Sequence, residues 1–338
     1  MKNSYLFLTT RLVQLILGAC FLFSSTQSSA IDVSGGITLS VQQISKTLGG
    51  TAIDFWVYCV MNGTGPGSCA DPVLPGPLLE LGVGAQANIT LMVPMMMAGE
   101  PAPYDGHTIH FHGLDVPQGE DGVPETGAAT NGDTYTFSVD QRYIGAHMYH
   151  CHVHTVKHLE MGMYGPFVVR AVDTGGNFLA TINDGGPSYD VEWNMVLSTV
   201  DPRYHSAIGD DVVFASYTPQ YYLINGNEGT SRTTPADTLT ATAGATVAIR
   251  LMGLQSVNAT FQILDDAGSS QTFTLYNLDG YALTSPMATS EIEISPGQTK
   301  DIMITLPATP GTLFPEVTYR RLRDDAPYAK VYTTLNFN

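Results

Sequence analysis

Residues 147–165 read HMYHCHVHTVKHLEMGMYG, with five histidines, one cysteine and three methionines in nineteen residues of a 338-residue chain that has nine histidines in all. Packing does not call for imidazoles at that density. The opening part, GAHMYHCH from Gly145, has the look of a strand, and successive side chains on a strand point to opposite faces. His150 and His152 then share one face and Cys151 takes the other. A thiolate, two imidazoles and a weak axial thioether are the donors of a mononuclear type 1 (blue) copper site. Cys151, His158 and Met163 supply three of the four, and spacing from His158 favours Met163 over Met161 as the axial sulfur.

The remaining imidazole comes from a second stretch, HTIHFHG at residues 107–113. His110 and His112 share a face there, and His107, three residues before His110, falls on the other. If the two strands are neighbours, His107 joins Cys151 on one side. His110, His112, His150 and His152 collect on the other, where four imidazoles suit further copper. Cys151 would link the two environments through its own backbone. A zinc reading is disfavoured, because a lone Cys with a downstream Met suits softer copper.

Outside these stretches the chain reads as short alternating or β-branched runs broken by Gly, Pro, Asn and Asp, with no long helical period. Candidate strands from ITLSVQQI (37–44) to GPFVVRAV (165–172) predict an antiparallel sandwich. The turn-rich DTGGNFLATINDGGPS then marks a linker, and a second all-β set runs from DVEWNMVLST to KVYTTLNF. The expected division is a leader over 1–30, a first domain over 31–175 carrying the ligands, and a second over 176–338 without a ligand motif. Eight of the nine histidines lie between 107 and 158, and the remaining one, His205, reads as structural or surface.

The first thirty residues carry Lys2 and Arg11, an apolar run over 12–23 and a small-residue end at Ser28-Ser29-Ala30, the pattern of a secretory signal too short to span a membrane. A lipid anchor at Cys20 is disfavoured by the apolar residues that follow it. Export to a periplasm or the medium follows, and no later stretch reaches membrane-spanning length. Removal of the leader leaves 12 basic against 31 acidic residues, a formal charge of −19, which argues against nucleic acid as a partner. Of the three remaining cysteines, Cys59 and Cys69 bracket a Gly/Pro loop and are expected to pair, leaving Cys151 single in an oxidising compartment.

Weaker features read as follows. His147 and His154 suit supporting or exposed roles better than coordination. Met92, Met95, Met96 and Met97 form a soft patch, read first as apolar filler. Asp115, Glu120 and Asp121 read as solvated charge, and the sequons at Asn62, Asn88 and Asn258 matter only in a glycosylating host.

The motifs HTIHFHG and HCHVHTVKHLEMGM, with GLDVPQGEDGVPETG and MYGPFVV after them, resemble those of the multicopper oxidases. The nearest likeness is to the two-domain, laccase-like branch related to copper nitrite reductases. YLINGN, YNLDGYALTSP and EIEISPGQTKDIMITLP extend the resemblance through the second half. It implies two cupredoxin-like Greek-key β-sandwich domains. It also implies type 1 copper on His107, Cys151, His158 and Met163, and type 2 or type 3 copper on His110, His112, His150 and His152. By the same resemblance, electrons from a small reducing substrate or redox protein pass through Cys151, His150 and His152 to oxygen. A nitrite reductase fits less well, since His110 stands at that family's catalytic Asp position. The family's oxygen-reducing cluster uses four His-x-His pairs, and this chain supplies two. In two-domain relatives a neighbouring subunit's second domain completes the cluster, and here that domain has no pair to give. Either a homo-oligomer (a trimer, or a two-fold dimer joining two first-domain faces) supplies the missing ligands in an unusual way, or the polynuclear site is reduced or absent. The rival expectation is a non-enzymatic blue copper carrier.

Overall fold

The computed structural model describes residues 30–63, 65–94, 106–125, 132–206 and 216–338. Residues 1–29 of the expected leader and Met95, Met96 and Met97 lie outside them. Among the described residues no helix is long and apolar enough to cross a membrane.

Two β-sandwiches follow one another along the chain. In the first, one sheet runs in the order Ile31–Asp32, Leu79–Gly82, Tyr164–Arg170, Gly145–His150, His110–His112. The other runs Cys69–Ala70, Thr51–Met61, Ile37–Leu48, Gln86–Met92, Asp133–Ser138. Alternation along these strands sends Leu39, Val41, Trp56, Tyr58, Ile89, Phe111, Phe137 and Phe167 into one core between the sheets. Cys59 and Cys69 form the expected disulfide at the edge of the second sheet. The second sandwich packs the sheet centred on Val191–Val200 and Thr246–Gly253 against the one centred on Gly311–Arg320 and Asn258–Leu264, around Trp193, Ile249, Phe261, Phe273 and Tyr319. The turn-rich segment between Arg170 and Val191 carries only isolated bridges, Val172 to Phe178 and Thr181 to Ser188.

The all-β expectation holds, but the sheets are mixed rather than antiparallel. Parallel pairs include Leu79–Gly82 with Tyr164–Arg170, Ile37–Leu48 with Gln86–Met92, and Val191–Val200 with Thr246–Gly253. They arise because the chain crosses between sheets, which brings strands remote in sequence side by side. Leu79–Gly82, short and buried throughout, escaped the pattern reading, and so did two longer strands, Tyr281–Thr289 and Gly311–Arg320. Each of the longer two has a proline inside it, Pro286 and Pro315, the usual sign against a strand. Pro315 lies where one neighbour of its strand gives way to another, Thr334–Phe337 before it and Pro327–Tyr332 after it. The ladder has a natural gap there, so a missing N–H is tolerated.

The two sandwiches share a third apolar cluster, in which Phe55, Val57, Ala146, Met148 and Val168 of the first meet Val196, Leu223 and Met252 of the second. Beside it runs a buried ion network. Arg170 donates to Glu80 (2.7 Å) and Glu192 (2.6 Å), and Arg250 pairs with Glu192 (2.5 Å) and Asp301 (2.9 Å). Burial would raise the Glu192 carboxyl, but Arg250 and Arg170 overcome it and hold it well below the usual carboxylate range. Asp301 accepts from the backbone N–H of Ala146 (3.1 Å). Breaking such a network costs roughly 3–5 kcal/mol, because it strands a buried charge. The second sandwich is thereby fastened to the strand Gly145–His150.

Candidate metal centre

The strands His110–His112 and Gly145–His150 are neighbours, with His110 opposite His150 and His112 opposite Met148. The regular strands are shorter than the motifs: His107 precedes the first, and Cys151 and His152 follow the second. The alternation nevertheless carries past the strand ends. His107, Cys151 and His158 converge on the core side, and their donor atoms lie within 4.8 Å of one another. His110, His112 and His150 converge on the opposite side within the same limit.

The core-side group is enclosed. Cys151 Sγ lies 3.1 Å from His158 Nδ1 and 4.0 Å from His107 Nδ1. The indole of Trp56 stands over both imidazoles, 5.5 Å from the His158 ring and 6.2 Å from that of His107. Two backbone hydrogen bonds close the ligand loop. The Cys151 N–H donates to the Met163 carbonyl (3.1 Å), and the Met163 N–H donates to the His158 carbonyl (3.0 Å). The short helix Thr155–Glu160 fills the loop and presents His158 inward. Met163 is wholly buried in the same apolar cluster as Cys151, with Met161 nearby.

Burial sets the electrostatics here. It pushes the Cys151 thiol up to about 11, against backbone and hydroxyl hydrogen bonds from Thr108, Val153 and Tyr58. Burial also lowers His107 to about 3 and His158 to about 2. Two neutral imidazoles therefore face a thiol that needs a cation beside it before it gives up its proton. That donor set, two nitrogens and one soft sulfur in a dry pocket with a thioether close behind, fits copper.

The opposite group is only partly covered. His150 is buried, while His110, His112 and His152 are half-buried. His150 Nδ1 donates to the Cys151 carbonyl (2.9 Å) and His110 Nδ1 donates to the Asp121 carbonyl (2.8 Å), since a carbonyl can only accept. Both rings are fixed in the tautomer that leaves Nε2 as a donor to metal. The Asp121 carboxylate adds a contact at 3.2 Å. Asp121 is therefore a support for His110 and not solvated charge. What brings it close is Gly122 (φ 67°), where a Cβ would sit 2.0 Å from the Ile109 carbonyl oxygen. His152 lies beside the group, its ring 5.1 Å from that of His110, with its N–H held by Thr108 Oγ1 (3.0 Å). Asp115 pairs with Arg142 on the surface, and Glu120 accepts from the Thr136 N–H (2.7 Å).

These imidazoles open into a cleft of about 530 Å³ between the sandwiches. Its roof is the second domain of the same chain, from Gly253, Leu254, Gln255, Ser256, Pro296 and Gly297. The other histidines are structural or exposed, as expected. His147 is buried, lowered to about 4 by that burial, and donates through Nε2 to the Tyr143 carbonyl (2.7 Å). His154 is exposed and caps the ligand-loop helix with φ 41°. His205 donates to the Asp54 carbonyl (2.7 Å) and stacks edge-on against Phe55 (4.7 Å), tying the second domain to the first.

Two family models, both described as multicopper oxidase, match residues 71–173 and 202–329. The chain belongs to the multicopper oxidase family. Copper is the cofactor that this membership implies. Among solved structures, the multicopper oxidase is similar to the blue copper oxidase of Nitrosomonas europaea, at 20% identity and TM-score 0.64, covering 91% of this chain and 86% of that one. The enzyme of Pseudomonas thermotolerans gives 20% and 0.62, covering 92% of this chain and 64% of the other. A metallo-oxidase of Campylobacter jejuni gives 19% and 0.62, covering 89% and 57%. The chain thus spans less than two thirds of the length of the latter two. At these identities the likeness is one of fold, two cupredoxin-like domains. No curated protein sequence matches the chain.

Proposed function

We propose that this multicopper oxidase is an exported copper-dependent oxidoreductase that takes single electrons from a reducing substrate on the Cys151 side and delivers them to oxygen on the imidazole side. The observation that carries the reading is the placement of two donor groups back to back on one strand end. Cys151 is bonded through the peptide chain to His150 and His152, so covalent bonds alone join the two sets of donors.

Copper, when bound, supplies the one-electron redox chemistry, and the protein supplies everything that shapes it. His107, Cys151 and His158 would hold the ion, with the Met163 thioether as a weaker further donor, and Trp56 and the surrounding core exclude water. A fixed, dry cage limits the rearrangement that accompanies gain or loss of an electron. His107 is fully buried and His158 nearly so, so the donor cannot touch His107. Entry is better served by the surface around His154 and the exposed Val156, next to His158. On the other side, His110, His112, His150 and His152 face a cleft large enough for oxygen to reach them.

The acidic surface suits cationic donors or basic redox proteins. Copper-loaded protein given a phenol or cuprous ion is expected to consume oxygen in proportion to donor oxidised. Protein that is coloured and reducible but consumes no oxygen would instead be an electron carrier.

A further inference from the structure

The imidazole face does not fit the three-ion cluster that the resemblance implies. That cluster draws on eight imidazoles, and this face has four. The surface opposite it is the chain's own second domain, and Gly253 to Ser256, Pro296 and Gly297 offer no imidazole, thiolate or carboxylate. Glu160, which also lines the cleft, is committed elsewhere: its oxygens accept from the Asp201 N–H (2.5 Å) and the Tyr217 hydroxyl (3.0 Å). His205 is held at Asp54.

What the face offers is a compact set of three donors. His110 and His150 present Nε2, because their Nδ1–H groups are spent on carbonyls. His112 lies against Gly297 of the roof on its Nε2 side, and its Nδ1 is the nitrogen turned to the His150 ring. His112 Nδ1 and His150 Nε2 then face one another at 3.4 Å. In the metal-free protein a proton on His112 Nδ1 can bridge the two nitrogens, and a bound ion would take its place. The separation is also what two nitrogens roughly 2.0 Å from a shared ion would show.

We propose that this face binds one copper ion, through His110 Nε2, His112 Nδ1 and His150 Nε2, with a coordination position open to the cleft for oxygen or a small anion. The inference rests on the reading above that the imidazole face holds copper. His152 flanks the ion and is not one of its three donors. Because the second domain closes over the face through the Gly297 contact, a second copy of the chain is not needed to complete the site.

The test is copper content and spin count of the intact, oxidised, copper-loaded protein, in whatever oligomer it forms. The expected result is about two coppers per chain, all visible by electron paramagnetic resonance as one type 1 and one type 2 signal. Added azide should alter only the type 2 signal, and His112→Ala should lose that signal while keeping the type 1 signal. More than two coppers per chain, or copper silent to resonance as a coupled pair, would overturn the single-ion site, while oxygen consumption by the same protein would leave the proposed function standing. About one copper per chain, all type 1, would overturn both.

Discussion

The two faces of the strand that ends at His150 use the same residue types for different ends. On the core side, His107, Cys151 and His158 are sealed under Trp56, and the loop that carries two of them is clamped by its own backbone. On the cleft side, His110 and His150 are each fixed by a carbonyl hydrogen bond, and with His112 they meet open space and a roof from another domain. The contrast teaches that access, rather than ligand type, separates a site that only relays electrons from one that can take up a molecule. Burial gives the first its fixed geometry, and the cleft gives the second its vacancy.

The sharpest way to break the comparison is to damage one face alone. His150→Ala removes a donor from the cleft side and leaves every core-side donor in place. Oxygen consumption should fall by roughly a hundredfold or more while the type 1 colour persists, since transition metals bound by fewer donors are held far less well. Loss of both together would mean that the faces are not separable.

A smaller effect comes from protons in the metal-free protein. Burial lowers His107 to about 3, His150 to about 3, His158 to about 2 and His147 to about 4, against about 6.5 in the unfolded chain. Between those limits the unfolded chain binds more protons than the folded one, so stability falls as pH drops below about 6.5. The ceiling is about 1.4 kcal/mol per histidine per pH unit. Urea midpoints at pH 7.5 and 5.5 should show a clear drop at the lower pH, reduced in His107→Gln. Equal midpoints would mean that these rings are solvated.

Most of the site was legible because its information is local. HCHVHTVKHLEMGM places Cys151, His158 and Met163 within one loop, and alternation assigns His110, His112, His150 and His152 to one face even beyond the strand ends. The roles of Asp121 and Gly122 were not legible. They depend on a loop folding back on the His110 strand, and only the glycine, at a point of close backbone approach, hinted at it. The roof was invisible for the same reason: Gly297 and His112 are remote in sequence and meet only because Asp301, Arg250 and the shared apolar cluster fasten the domains together. In the fold, alternation found most strands, and failed at Leu79–Gly82, which is buried throughout, and where Pro286 and Pro315 sit inside strands.

The central claim is that Cys151 binds copper as a thiolate. It is tested most directly by comparing the visible absorption and electron paramagnetic resonance of copper-loaded wild-type and Cys151→Ser protein. The account predicts an intense blue thiolate-to-copper band and a type 1 signal in the wild type, both absent from the variant. A band and signal that survive the substitution unchanged would contradict it.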